Sequence, residues 1–246
     1  MTTNNNELSL RLHEATEAEH LAEKARKLKN FQYLNKYIKK GQILFTGSSL
    51  MEHFPVTEFY AESDLAKDGL LVYNRGIGGC TTDEFLRNIN TMLLDPEPSK
   101  LFINIGTNDM NGTPDTDGNM PCIDESEPSW MPHLIGNYAK ILQICRDKLP
   151  QTEIYPMAYY PINTRVISMM KDPFFKAKFK TRTNKKVRLA NVKVAQLAEQ
   201  YHCHYIDVND GLADNSGELK PEFTVEGVHM YPNGYRIVFD NLKPYL

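Results

Sequence analysis

From residue 42 onward, short apolar runs alternate with longer stretches in which apolar residues recur every three or four positions. The runs QILFT (42–46), LLVYN (70–74), KLFINIG (100–106), EIYPMAYY (153–160) and CHYIDV (203–208) have the length and content of buried strands. Between them, TTDEFLRNINTMLL sets Thr81 three residues ahead of Glu84, a capping-box spacing, and continues with Phe85, Leu86, Ile89, Met92 and Leu93 on helical spacing. HLIGNYAKILQICRDKL (133–149) and residues 182–201 repeat the pattern. PNGYRIVFDNL (232–242) opens with proline, tolerated in a first helical turn because its missing N–H has no intrahelical partner there. Such alternation predicts βαβ units and a parallel sheet.

Three stretches depart from this rhythm. Residues 7–40 are rich in Glu, Ala, Leu and Lys without Pro or Gly, and predict one or two amphipathic helices. They define an N-terminal helical extension, 1–40, packed outside a core domain, 41–246. Residues 110–132 are too long and polar for an ordinary connection and predict a loop with a lid or specificity role, in which Trp130 could wall a pocket. Residues 171–193 carry nine Lys or Arg against one Asp, which reads as a solvated helix face or, less simply, as an attractor for an anionic substrate.

Composition narrows the function classes. A net charge of -3 over 246 residues gives no global reason to expect nucleic acid or an acidic membrane as partner. No run approaches the roughly 18 apolar residues of a membrane span, and the N-terminus lacks a leader pattern, so a cytoplasmic protein is expected. Cys80, Cys122, Cys145 and Cys203 show no CxxC pair or zinc spacing and are expected to be reduced and unpaired. His202-Cys203-His204 has no second cluster to complete a metal site, and no cofactor is called for.

The first three strands each run into a polar, glycine-containing turn: Thr46-Gly47-Ser48-Ser49, then NRGIGGCTT (74–82), then GTNDM (106–110). In the strand order 2-1-3-4-5 these turns lie side by side at the C-terminal edge, where open α/β sheets bind ligands. The serines are either helix caps or the site of a nucleophile. The glycine-rich turn is either a tight turn or an anion-binding nest, in which the Gly79 N–H and the Asn108 amide could face a developing oxyanion. Among seven histidines, His229 stands apart: it lies in a loop just before the helix at Pro232, with Glu226 three residues upstream, within reach of one local turn.

These pieces together resemble the SGNH hydrolases, also called the GDSL esterase/lipase family. Ser49 in FTGSSL, Gly79 in NRGIGGCTT, Asn108 in GTND and His229 in EGVHMYPNGY occur in the family's order. The resemblance implies a flavodoxin-like, three-layer α/β/α fold with a parallel five-stranded sheet. It assigns Ser49 as nucleophile, the backbone N–H groups of Ser49 and Gly79 with the Asn108 amide as oxyanion hole, and His229 as general base. Two positions depart from the pattern: Ser48 stands where many members have Asp, and Glu226 where the family usually has Asp. The expected partner is a small acyl ester, an acetylated carbohydrate being favoured over the lysophospholipid and thioester substrates of other members; a homo-oligomer stays open. A flavodoxin-like module cradling the phosphate of a flavin or nucleotide on TGSSL is the competing class.

Overall fold

The computed structural model of the protein describes residues 2–111 and 130–246. Most of the expected 110–132 loop, with Cys122, lies outside the described residues. The chain divides into two compact units, Met1–Ile38 and Lys39–Leu246. The first is a single helix, α1 (Thr2–Leu34), whose apolar residues are not gathered into the one-sided stripe expected of it. Surface pairs such as Glu23 with Lys27, 3.0 Å apart and one turn along, support a helix of this polar kind.

The second unit is built on four parallel strands, β1 (Ile43–Gly47), β2 (Val72–Gly76), β3 (Lys100–Asn104) and β4 (Glu153–Pro156), in the order β2-β1-β3-β4. Helices α2 (Ser49–Glu52), α3 (Val56–Ala61), α4 (Thr82–Arg87), α5 (Trp130–Lys148), α6 (Thr164–Met169), α7 (Pro173–Lys180), α8 (Asn184–Gln200) and α9 (Pro232–Leu242) flank it. The capping box at Thr81 is present in both halves: Glu84 N–H donates to Thr81 Oγ1 and Thr81 N–H to Glu84 Oε2.

The fold is therefore the expected α/β architecture with one correction. The fifth expected strand, CHYIDV, is reduced to one bridge, Met157 with Ile206, in the position that a strand beside β4 would occupy. The cause is Pro156. His204 N–H reaches Ile154 O at 2.9 Å and Ile206 N–H reaches Pro156 O at 3.0 Å, as a parallel ladder requires. The reciprocal bond to His204 O would need an N–H at position 156, which proline lacks. One residue thus removes a rung and leaves four strands.

Side chains alternate between the two faces of the sheet. On one, Phe45, Phe102 and Tyr155 occupy paired register positions on β1, β3 and β4 and stack with centroids 4.7 Å apart at each step. The Phe54 and Tyr235 rings stack at 5.1 Å in the same core, joining the chain after α2 to α9. At the C-terminal edge, Gly47 (φ 146°) lets β1 pass β3 at close range, because a Cβ there would stand 2.0 Å from Asn104 O. This approach delivers Ser48 and Ser49 to the mouth between β2 and β3.

Candidate active site

Neither serine is a side-chain cap. Ser48 precedes α2 in extended conformation without a side-chain cap bond; it is fully buried, with its Oγ 3.4 Å from Thr107 Oγ1. Ser49 is the first residue of α2, half-buried, and its Oγ lies 2.8 Å from His229 Nε2 across 180 residues of sequence. The other ring nitrogen, Nδ1, is 2.6 Å from Glu226 Oε1, which also accepts the His229 backbone N–H at 3.0 Å. Ser49, His229 and Glu226 form one continuous hydrogen-bonded line.

The loop carrying the last two residues is fixed from within. Thr224 Oγ1 accepts the Gly227 N–H at 2.7 Å and donates to His229 O at 2.9 Å. Gly227 takes φ 103°, and its carbonyl accepts from Asn163 N at 2.7 Å. The extra methylene of Glu relative to Asp is thus absorbed by a short turn that brings the carboxylate back onto its own residue-plus-three imidazole. Burial opposes ionisation of Glu226, but the hydrogen bonds and charge of His229 outweigh it and hold the carboxyl below its ordinary range. Phe179 meets the His229 ring edge-on at 6.0 Å, and His53 lies 5.0 Å from it.

The glycine-rich turn after β2 sits against Ser49: a Cβ on Gly78 would lie 4.0 Å from Ser49 Cβ. Gly78 N–H donates to the Glu52 carboxylate and Gly79 takes φ 67°. From β3, Asn108 Nδ2 donates to Cys80 O at 3.1 Å, while the neighbouring Asp109 carboxylate accepts the Thr82 N–H at 3.1 Å and the Thr82 hydroxyl. Burial pushes the Asp109 carboxyl above its usual range, with the Thr82 hydrogen bonds opposing. Two consecutive residues of GTND therefore hold the turn just after Gly79, at Cys80 and Thr82, and the three turns lie together as the strand order requires.

Several contributors were not singled out from the sequence. Glu52 and Asp109 lie beside motif residues, and only the loops they hold reveal their use. Arg182 and Lys186 belong to the basic stretch read as a solvated face, yet they are 3% and 4% exposed. Lys186 Nζ donates to the carbonyls of Met110 and Thr181 and stands 5.5 Å from the Trp130 ring centre, so Trp130 meets the fold at the start of α5. The Thr-Arg-Thr break between two helical patterns is the one local sign that Arg182 leaves the helix surface. Cys145 and Cys203 are free thiols, and burial pushes Cys145 up to about 12. Among the described residues, no group of three or more His, Cys, Asp or Glu is placed to hold a metal ion, and no helix is long and apolar enough to cross a membrane.

Comparison with known proteins gives the arrangement a context. The GDSL-like Lipase/Acylhydrolase family matches residues 45–237, a span that includes every candidate from Ser49 to His229. No curated protein matches the chain. Among solved structures, a Streptococcus pneumonia protein provisionally described as a platelet activating factor is 27% identical, with 96% of this chain and 98% of that one aligned at a TM-score of 0.76. A GDSL-like lipase from Bacteroides thetaiotaomicron shares the fold at 18% identity, with 89% and 96% of the chains covered and a TM-score of 0.65. An acetylxylan esterase from Geobacillus stearothermophilus, solved as a catalytic mutant, does so at 16% identity, 84% and 95% coverage and a TM-score of 0.59. With the family matched over most of its length, the chain belongs to the GDSL-like lipase/acylhydrolase family and is a hydrolase of ester bonds.

Proposed function

We propose that the protein is a serine esterase in which Ser49 attacks the ester carbonyl, His229 takes and returns the proton, and Glu226 holds the imidazole. The observation that carries this reading is the unbroken line from Ser49 Oγ through His229 to Glu226, with contacts of 2.8 and 2.6 Å. As Oγ bonds to the carbonyl carbon, its proton passes to Nε2, and the carbonyl oxygen becomes an oxyanion facing the N–H groups of Ser49 and Gly79 and the Asn108 amide. Collapse expels the alcohol, which takes the proton from Nε2. Water then enters and gives its proton to Nε2 as its oxygen attacks the acyl carbon; Nε2 returns that proton to Ser49 Oγ as the acyl–Oγ bond breaks, releasing the carboxylic acid and the free serine. The scheme uses this chain's side chains and water.

The substrate class we favour is a small acyl ester, an acetylated carbohydrate first, in keeping with the fold shared with acetylxylan esterases. A second reading, a lysophospholipid or thioester with a longer acyl chain, draws on one feature: rings continue outward from His229 through Phe179, Phe175 and Phe174 at centroid steps of 6.0, 6.0 and 5.4 Å. The free thiols favour a reducing, cytoplasmic setting, and the small ester is the partner invoked.

A fluorophosphonate should label Ser49, and Ser49→Ala should abolish both labelling and turnover, whereas Ser48→Ala should keep most activity. Label on Ser48, or unaltered turnover in Ser49→Ala, would sink the assignment. Rates on p-nitrophenyl esters of increasing chain length, set against acetylated xylo-oligosaccharides, separate the two substrate readings.

A further inference from the structure

The basic stretch hides one arginine that is turned away from water. Thr181-Arg182-Thr183 joins α7 to α8 in a connection closed at both ends: Arg182 N–H donates to Phe179 O at 3.0 Å, Thr181 Oγ1 to Lys178 O at 2.7 Å, and Lys186 N–H to Thr183 Oγ1 at 3.2 Å. Capping both helices so tightly aims the Arg182 side chain inward, where it is 3% exposed. Nη2 donates to Asn108 Oδ1 at 3.3 Å and Nε to Asn111 Oδ1 at 3.2 Å, while the guanidinium stands 5.8 Å from the Phe179 ring centre. Burial pulls its pKa down to about 10, with Glu226 and Asp109 opposing, so the group is a cation at neutral pH.

The consequence lies in the chemistry of an amide. An asparagine side chain has two ends of nearly equal size, and only the nitrogen end can donate to an oxyanion. Guanidinium is a donor alone, so it accepts the oxygen end of Asn108 and rejects the other. With Oδ1 held by Arg182, Nδ2 must face the opposite way, where one of its hydrogens meets Cys80 O at 3.1 Å and the other is left for the reacting oxygen. Cys80 follows Gly79, so the same bond ties the turn that carries the second donor.

We propose that Arg182 is a positioning residue for the oxyanion hole: it locks the Asn108 amide with its donor end toward the reacting carbonyl and, through Cys80, steadies the Gly79 turn. The inference rests on the assignment of Asn108 as an oxyanion donor. A buried arginine that merely filled space would be needed for folding and would bear on turnover equally with or without Asn108.

A double-mutant cycle separates these cases, with kcat and KM measured on p-nitrophenyl acetate. Asn108→Ala should lower kcat by about 10²–10³-fold, which tests the oxyanion assignment itself. Arg182→Met and Arg182→Lys should each lower kcat by about 10–10²-fold with KM within about threefold of wild type, Lys failing because it keeps the charge but loses the planar fork. In the Asn108→Ala background, either Arg182 substitution should cost less than about threefold more, because the group it orients is gone. An equal loss in both backgrounds, or a change confined to KM, would overturn the proposal. Unchanged kcat in Asn108→Ala would overturn the oxyanion assignment and this inference with it. If Arg182→Met does not fold, Arg182→Lys, which keeps the buried stem and charge, decides through the same cycle.

Discussion

The hydroxyl of Tyr235, fully buried on α9, donates to the carbonyl of Leu50 at 2.9 Å. Leu50 directly follows Ser49, and Tyr235 lies six residues after His229, so this bond fastens the helix behind His229 to the helix that begins at Ser49. The Ser49 to His229 distance is set by backbone elements that are bonded to each other, independently of the contact between the two side chains.

Tyr235→Phe keeps the ring stacked on Phe54 and deletes only this bond. A buried carbonyl left without its donor costs about 1–3 kcal/mol. Urea unfolding should show that loss of stability, with a smaller fall in kcat. Unchanged stability would mean that the bond is not a brace.

Gly47 offers a sharper test of geometry. A Cβ there would meet a backbone oxygen at 2.0 Å, whereas one at Gly41, also at positive φ, would meet nothing within 4 Å. Gly47→Ala should cost more than about 4 kcal/mol or prevent folding, while Gly41→Ala should cost about 1–2 kcal/mol from backbone strain alone. Similar stabilities for the two variants would contradict the close passage of β1 against β3.

What the sequence made legible were features written locally. The capping box at Thr81, the Glu226 to His229 spacing and the glycine-bearing turns each occupy a few adjacent residues. The order of the strands comes with the family resemblance, and the rules of βαβ connection add only its handedness. What escaped depends on long-range placement. Arg182 and Lys186 merge into a charged stretch, although the break between two helices turns Arg182 inward and Lys186 lies on the buried face of the first turn of α8. Pro156 sits inside a convincing apolar run, and its effect falls on a neighbouring segment 48 residues later, because the missing N–H is felt only by the acceptor across the ladder.

The proline argument is itself testable. Pro156→Val restores an N–H facing His204 O, and the bridge at Met157 should extend into a short fifth strand. Hydrogen exchange would show the new amide protected along with those of His204 and Ile206. Fast exchange at that amide would mean that something other than proline truncates the strand.

Glu226 carries the most consequential expectation, because the family more often has Asp at this position. Its folded pKa is depressed, so its contribution to stability is fully present above the unfolded carboxyl range and is lost as pH falls below that range through the folded value. The free energy of unfolding in that acid range should fall less steeply on acidification in Glu226→Gln than in wild type. At neutral pH the same substitution replaces an obligate acceptor at Nδ1 with a group that can also donate, releasing the tautomer that leaves Nε2 free for the serine proton. Turnover should then drop by about 10²–10⁴-fold between about pH 6 and 9, with His229→Ala at least as impaired. The alternative is a Ser49–His229 dyad in which the loop alone holds the ring, and it calls for less than about a tenfold loss in Glu226→Gln. The 2.6 Å contact to Nδ1, made by the same oxygen that accepts the His229 backbone N–H, argues for the larger effect: in Gln the charge that steadies the imidazolium is gone, and the amide can turn its NH₂ end to the ring.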